Sequence, residues 1–278
     1  MVIIDAHQHF WNYDPVRHDW IGEDMKMIRR DFQPMDLKEL YAKNGVSACV
    51  AVQADQSEAE TEMLLAYAKA HDFIKGVVGW VDLRGEELDD RLSYYSSFPK
   101  LKGFRHVLQN EEPSFMLDPD FLRGIGLLQK FDLAYDLLIF PHHLDAAIEM
   151  VGHFPEQRFV VDHLAKPLIK KREIREWKEK MKVLSTHPHL YCKISGMVTE
   201  AEWDNWKSDD LLPYLEAVTE IFGPDRLMFG SDWPVCLVAS SYDKWLGIVK
   251  KFSSSFSPVD QAKIFGGNVN SFYRLNCL

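Results

Sequence analysis

His7 and His9 lie one residue apart in the run Asp5-Ala6-His7-Gln8-His9. Alternate side chains of a strand share a face, so the two imidazoles project together, about 6–7 Å apart along the backbone. Such a pair suits one divalent metal ion or one anion; the same spacing also suits two hydrogen-bonded histidines in a packed interior. A third imidazole, His163, follows Val160-Val161-Asp162, and a carboxylate, Asp232, follows Phe229-Gly230-Ser231. Imidazoles with a carboxylate at their edge form a donor set for Zn²⁺ or Mn²⁺, and such an ion generates hydroxide near neutral pH. Asp232 alone needs only a water within hydrogen-bond reach to act as general base. Its plainer role is to cap the turn that follows. Arg105, in Gly103-Phe104-Arg105-His106, offers a permanent planar charge to an anion or oxyanion, or else a partner for Asp136 at the end of the next apolar run.

Other residues carry weaker signals. Lys193 and Ser195 share one face of Cys192-Lys193-Ile194-Ser195, but no partner arrangement activates the serine, so both read as structural or substrate-bonding groups. Cys192 reads as a packed thiol. His142, in Pro141-His142-His143, either borders a pocket or solvates a helix start. Among the eight tryptophans, Trp11, Trp20, Trp80 and Trp233 fall near these polar segments and offer aromatic faces for a carbohydrate or lactone ring, against plain packing as the alternative.

Positioning these groups requires a scaffold, and its pattern repeats along the chain. Eight short apolar or β-branched runs, at 2–5, 48–53, 76–81, 103–107, 134–139, 159–162, 190–194 and 227–230, mostly lack alternation, as strands buried on both faces do. Helix-period segments at 58–71, 121–130, 143–151, 173–185, 210–222 and 242–251 lie between them, and Gly45 and Gly223 stand where helices should end. This alternation predicts an α/β protein of the (β/α)₈ TIM-barrel type, occupying residues 1–278 as one domain. No Gly-x-Gly-x-x-Gly follows the first run, which removes the dinucleotide-binding signature. Residues 8–35 lack periodicity and predict a long first βα loop that serves as a lid or binding loop. In such a barrel the catalytic groups gather at the strand C-termini, where His7, His9, Arg105, His163 and Asp232 all fall.

Composition limits the partners. The chain is 46% hydrophobic and 27% charged, as globular proteins are, and 32 basic against 42 acidic residues leave a net charge of −10. Nucleic acid and anionic membranes are therefore poor partners, and a small molecule is the expected one. Four scattered cysteines with no Cys-x-x-Cys pair, no signal-peptide pattern after Met1 and no long apolar run predict a cytoplasmic protein. A homo-oligomer is as compatible with the sequence as a monomer.

The segments IIDAHQHFW, DPVRHDW, GWVDL, KGFRHVLQ, VVDHLAKP, CKISGM, LMFGSDWPV and IFGGNVNSFYRL give the chain a resemblance to the amidohydrolase superfamily over nearly its whole length. It is most similar to the amidohydrolase-2 branch, which holds sugar lactonases of the L-fuconolactonase kind and 2-pyrone-4,6-dicarboxylate lactonase. The resemblance implies a hydrolase that opens a sugar lactone to its aldonic acid. Asp232 would accept the proton of water. His7, His9 and His163 would surround the carbonyl or, with Asp232, a metal, and Arg105 would contact substrate beside His163. His106, Asp136, His142 and the aromatic Trp11, Trp20 and Trp233 would orient the ring. Binuclear members carry a carboxylated lysine after the fourth strand; Arg105 and His106 stand there instead, which argues against two metals. The branch includes enzymes with one divalent ion, zinc or manganese, and enzymes with none. It also includes metal-dependent decarboxylases of aromatic or unsaturated acids, which is the alternative activity. A non-catalytic carbohydrate-binding barrel is a further one.

Overall fold

The computed structural model describes residues 1–277. Its eight strands, β1 (Ile4–Gln8), β2 (Ala48–Val52), β3 (Ile74–Gly79), β4 (Leu101–His106), β5 (Ala134–Leu137), β6 (Phe159–Val161), β7 (Leu190–Ile194) and β8 (Leu227–Phe229), form one sheet in sequential order, each paired in parallel with the next. Eight helices cover them: α1 (Pro34–Asn44), α2 (Glu58–Ala70), α3 (Leu88–Ser96), α4 (Pro119–Lys130), α5 (Leu144–Gly152), α6 (Arg175–Leu184), α7 (Ser208–Phe222) and α8 (Tyr242–Ser253). This is the expected (β/α)₈ barrel.

The local causes are visible at the element ends. Asp118 caps α4 by accepting the amides of Asp120 and Phe121, Pro119 presets the first turn, and Phe121, Ile125 and Leu128 then fall on one buried face. Ser57 and Ser241 cap α2 and α8 in the same way. Gly45 ends α1 at φ 68°, a left-handed conformation that glycine enters without a Cβ clash. The periodicity leaves α1 and α3 unmarked because their apolar stripes are interrupted by charged residues.

The first strand runs to Gln8, three residues past the apolar run that marks it. His7 and Gln8 are polar, yet Gln8 pairs with Ala51 and the whole strand is buried. The register with β2 shifts between Asp5 and Gln8. The third strand lies two residues earlier than its apolar run suggests. Between β8 and β1 the barrel is closed by two backbone bonds, His9 N–H to the Trp233 carbonyl at 2.7 Å and Asp232 N–H to the His7 carbonyl at 2.8 Å. The larger apolar layer lies between strands and helices. A smaller one, including Ile4, Ala6, Val50, Val78, Val160 and Met228, fills the barrel and meets Phe272 and Tyr273 from the C-terminal segment. Among the described residues no helix is long and apolar enough to cross a membrane.

Candidate active site

The seam between β1 and β8 brings the first candidate groups together. Its two backbone bonds hold His7 and His9 beside Asp232, and Ser231 tightens the join by donating its amide to Asp5 Oδ1 at 2.8 Å. Asp232 itself adopts φ 56°, which turns its carboxylate inward. Across the barrel, the chain after β6 makes a left-handed turn from His163 to Lys166, with φ of 53°, 56°, 56° and 47°. Such conformations cost about 1 kcal/mol or more per residue and persist where the surroundings dictate them. Here the turn presses the His163 ring against Gly196, where a Cβ would stand 2.5 Å from the ring; any side chain at 196 would displace it.

Four donor atoms converge. His7 Nε2 and His9 Nε2 are 3.2 Å apart, and Asp232 Oδ1 lies 3.4 Å from His9 Nε2, 3.8 Å from His163 Nε2 and 4.0 Å from His7 Nε2. His9 Nδ1 donates to the Val52 carbonyl at 2.8 Å, so its Nε2 presents a lone pair. His7 Nδ1 donates to Asp162 Oδ1 at 3.1 Å and leaves its Nε2 lone pair facing that of His9, with Arg105 Nη1 3.3 Å from the same Nε2. Two lone pairs in contact repel unless a cation lies between them. Burial holds His7 well below the usual histidine range and brings His163 to about 4, so both are neutral, as metal ligands must be. A tetrahedral zinc ion keeps its nitrogen and oxygen donors about 2.0–2.2 Å away and hence about 3.3–3.6 Å from one another. The His7–His9 and His9–Asp232 separations, 3.2 and 3.4 Å, match that spacing within about 0.1 Å, the His7–Asp232 separation is 4.0 Å, and His163 stands beside them, so the residues fit one divalent ion.

Beneath the donors lies a charged layer. Asp162, fully buried, bridges His7 Nδ1, Lys193 Nζ at 3.0 Å and Arg105 Nη1 at 3.0 Å. Burial would raise its carboxyl, but His7 and Lys193 outweigh burial and hold it well below the usual range. Lys193 also reaches Asp136 Oδ2 at 2.5 Å, and Tyr273 donates its hydroxyl to the same carboxylate at 2.8 Å. Asp232 is likewise depressed: burial opposes, but His163, the His9 hydrogen bond and His7 prevail. It is ionised at neutral pH and able to accept a proton.

The expected residues divide. His9, His163 and Asp232 border a cavity of about 360 Å³ together with Arg105 and Trp20, and His7, fully buried, completes the donor cluster behind them. Arg105 pairs with Asp162 rather than with its register neighbour Asp136; its Nη1 also lies 3.3 Å from His7 Nε2, and its other donors go to Gln53, including Nε to Gln53 Oε1 at 3.0 Å. Trp11 does not border the cavity; it is fully buried, donates Nε1 to the Arg30 carbonyl at 2.8 Å and packs on Phe32. Trp233 is also buried, edge-on to Phe32 with centroids 5.1 Å apart. Asp136 is committed to Lys193 and Tyr273 below the site. His106 is held by Glu111 at 2.9 Å and stacked on Phe115. His142 is exposed against Phe140 and His143, outside the cavity. Aromatic type and nearness in sequence do not separate a lining ring from a supporting one.

Asp162, Gln53, Lys166, Glu200, Gln109 and Trp203 escape the sequence reading. Asp162 had one signal, its place immediately before His163 at a strand end. The first loop does fold over the mouth: Trp11 and Phe32 exchange backbone bonds at 3.1 and 2.9 Å, and Arg17, Asp19, Trp20 and Met25 border the cavity. Two buried polar atoms on bordering residues, Trp20 Nε1 and Gln109 Oε1, have no hydrogen-bond partner among the described residues.

Fold and site together define a barrel enzyme whose donor cluster suits a divalent ion. The chain belongs to the amidohydrolase family, whose profile matches residues 4–275. L-fucono-1,5-lactonase of Burkholderia multivorans is 38% identical, covering 98% of this chain and 96% of that protein. A solved amidohydrolase from Burkholderia multivorans with bound zinc has a TM-score of 0.95 at 38% identity, over 99% of both chains. 2,6-Dihydroxybenzoate decarboxylase from Rhizobium, with a TM-score of 0.71 and 14% identity over 99% of both chains, shares the fold alone.

Proposed function

We propose that this amidohydrolase opens a neutral sugar lactone of the L-fucono-1,5-lactone type, with Asp232 taking a proton from the attacking water. The observation that carries the reading is the convergence of Asp232 Oδ1 with the Nε2 atoms of His9 and His163, which border the cavity with it, and of the fully buried His7. A lactone needs no covalent nucleophile. The water oxygen bonds to the ring carbonyl carbon while its proton passes to Asp232, and the carbonyl oxygen becomes an oxyanion. Collapse breaks the bond between that carbon and the ring oxygen, which receives the proton back from Asp232. The aldonic acid then releases its own proton to solvent.

His7, His9, His163 and Asp232 are the residues that would hold a single ion, zinc or manganese, whose Lewis acidity would favour both the attack and the oxyanion. Arg105, fixed by Asp162 and Gln53, adds a positive charge at the cavity wall. The partnerless Trp20 Nε1 and Gln109 Oε1, one a donor and the other an acceptor, suit ring hydroxyls, and the indoles of Trp20 and Trp203 suit the ring's apolar face. A decarboxylase reading draws on the fold alone. Cys49, Cys192, Cys236 and Cys277 are unpaired, which supports a reducing cytoplasm.

The test is a panel of aldonolactones assayed for acid release and CO₂ with native protein, chelator-treated protein and treated protein resupplied with zinc. Acid release without CO₂, lost on chelation and restored by zinc, is the expected result. Activity on no lactone overturns the substrate; full activity after complete removal of the ion overturns the metal.

A further inference from the structure

The cavity wall contains a second ion pair that takes no part in the steps above. Lys166 Nζ lies 3.5 Å from Glu200 Oε1, each side chain is only 18% exposed, and both border the cavity. Lys166 ends the left-handed turn that begins at His163, where its amide donates to the His163 carbonyl at 2.8 Å. Its ammonium also stands 5.3 Å from the centre of the Phe140 ring. Glu200 closes the short 3-10 turn Val198–Glu200 after β7. That turn is fastened on both sides: Thr199 donates Oγ1 to the Gly196 carbonyl at 2.7 Å, and Trp203 donates Nε1 to the Thr199 carbonyl at 2.8 Å. Both charges therefore sit on segments that also support the His163 ring.

Standing alone, a largely buried ammonium in this wall would seat a carboxylate carried by a substrate, because charge interactions strengthen where water is thin. Glu200 already supplies that carboxylate. Arg105, the other buried cation at the cavity, is matched in the same manner by Asp162. Arg17 borders the mouth but is exposed, and Asp19 and Asp55 border the cavity with it. No buried cation bordering the cavity is thus left without an anion.

We propose that the Lys166–Glu200 pair is a charge filter that admits neutral polyhydroxylated rings and rejects lactones carrying a carboxylate. This specificity rests on the lactonase reading of the same site. Glu200 occupies the position a substrate carboxylate would take, and its own negative charge repels one. Removing that charge while keeping its shape converts the wall into an anion seat.

The experiment compares kcat/KM for L-fucono-1,5-lactone and for D-glucaro-1,4-lactone, which bears a free carboxylate, in the wild type, Glu200→Gln and Lys166→Met/Glu200→Gln. The Glu200→Gln ratio of anionic to neutral turnover should rise about tenfold over wild type, the scale of one partly screened charge contact. The double variant should return it to the wild-type value. The ratio is internal to each protein, so a poorly folded variant lowers both numbers without moving it. Calorimetric binding of D-glucuronate against L-fucose gives the same ratio without catalysis. A chain that opens neither lactone therefore overturns the lactonase reading, while binding still decides the filter. A Glu200→Gln ratio within twofold of wild type, in turnover or, where there is none, in binding, overturns the filter, as does failure of both sugars to bind either protein.

Discussion

Replacing Asp232 with asparagine removes one basic oxygen and changes little else. The residue is 3% exposed and sits at φ 56°, a left-handed conformation that asparagine tolerates better than any other non-glycine residue. The seam bond from its amide to the His7 carbonyl involves only backbone and survives the change. An alanine would be a poorer probe, since it adds about 1 kcal/mol of left-handed strain and opens a void. The amide oxygen is neutral, a weak metal donor and not a base. Losing a positioned general base costs about 10²–10⁴ in rate, or about 3–5 kcal/mol of barrier. The assay is acid release from L-fucono-1,5-lactone by pH indicator, with zinc content and melting temperature measured on the same preparations. We expect kcat/KM to fall by at least about a hundredfold with the fold intact. Turnover within threefold of wild type, at equal metal content, would falsify the assignment of Asp232 as proton acceptor.

Three further outcomes follow from the support beneath the site. Gly196→Ala puts a Cβ 2.5 Å from the His163 ring at a backbone φ of 60°, so the ring must move, and a displacement near 1 Å lowers kcat/KM by about a hundredfold; activity equal to wild type refutes the close approach. Lys193→Met leaves Asp136 and Asp162 buried without their shared cation, 2.5 and 3.0 Å away in the native protein. Denaturant unfolding should show a loss of about 3–5 kcal/mol, and a loss below about 1 kcal/mol contradicts the network. Glu60, nearly fully buried beneath the cavity wall, accepts the amides of Ala54 and Asp55 at 2.9 and 2.8 Å, and burial pushes its carboxyl from 4.5 up to about 8. The native state then keeps a proton that the unfolded chain has lost between those values, so this group's contribution to stability is largest below pH 4.5 and declines as pH rises toward 8. Glu60→Gln lacks the titrating proton, and between pH 5 and 8 the wild type should lose stability relative to it by about 3–4 kcal/mol; parallel curves exclude the shift.

The barrel was legible because parallel strands buried on both faces must be apolar throughout, and runs such as Ala48–Val52 announce themselves. The apolar run that marks the strand carrying His7 stops short of it for the opposite reason: the strand's last residues trade apolar character for polar donors. The converging donors were legible as residues at strand ends, because a barrel puts all such ends on one face. Their supports were not. Asp162 and Lys193 look like any charged residues until the closed sheet turns them toward the same interior. Trp11 and Trp233 illustrate the converse error, since a ring one or two residues from a reactive group can point away from it and serve as packing. Lys166 and Glu200 are separated by more than a whole βα unit, and only the left-handed turn after β6 sets one beside the other.

That left-handed turn ties two properties of the enzyme to a single span of backbone. One end presents an imidazole to the donor cluster, and the other presents the ammonium of the paired wall. Reshaping the turn to accommodate a new ring therefore disturbs the donor cluster at the same stroke, whereas exchanging the Glu200 side chain at the end of the Val198–Glu200 turn changes the wall and leaves the Thr199 bond to Gly196 in place. Divergence toward other substrates, in nature or in the laboratory, has its cheaper route through the loop after β7.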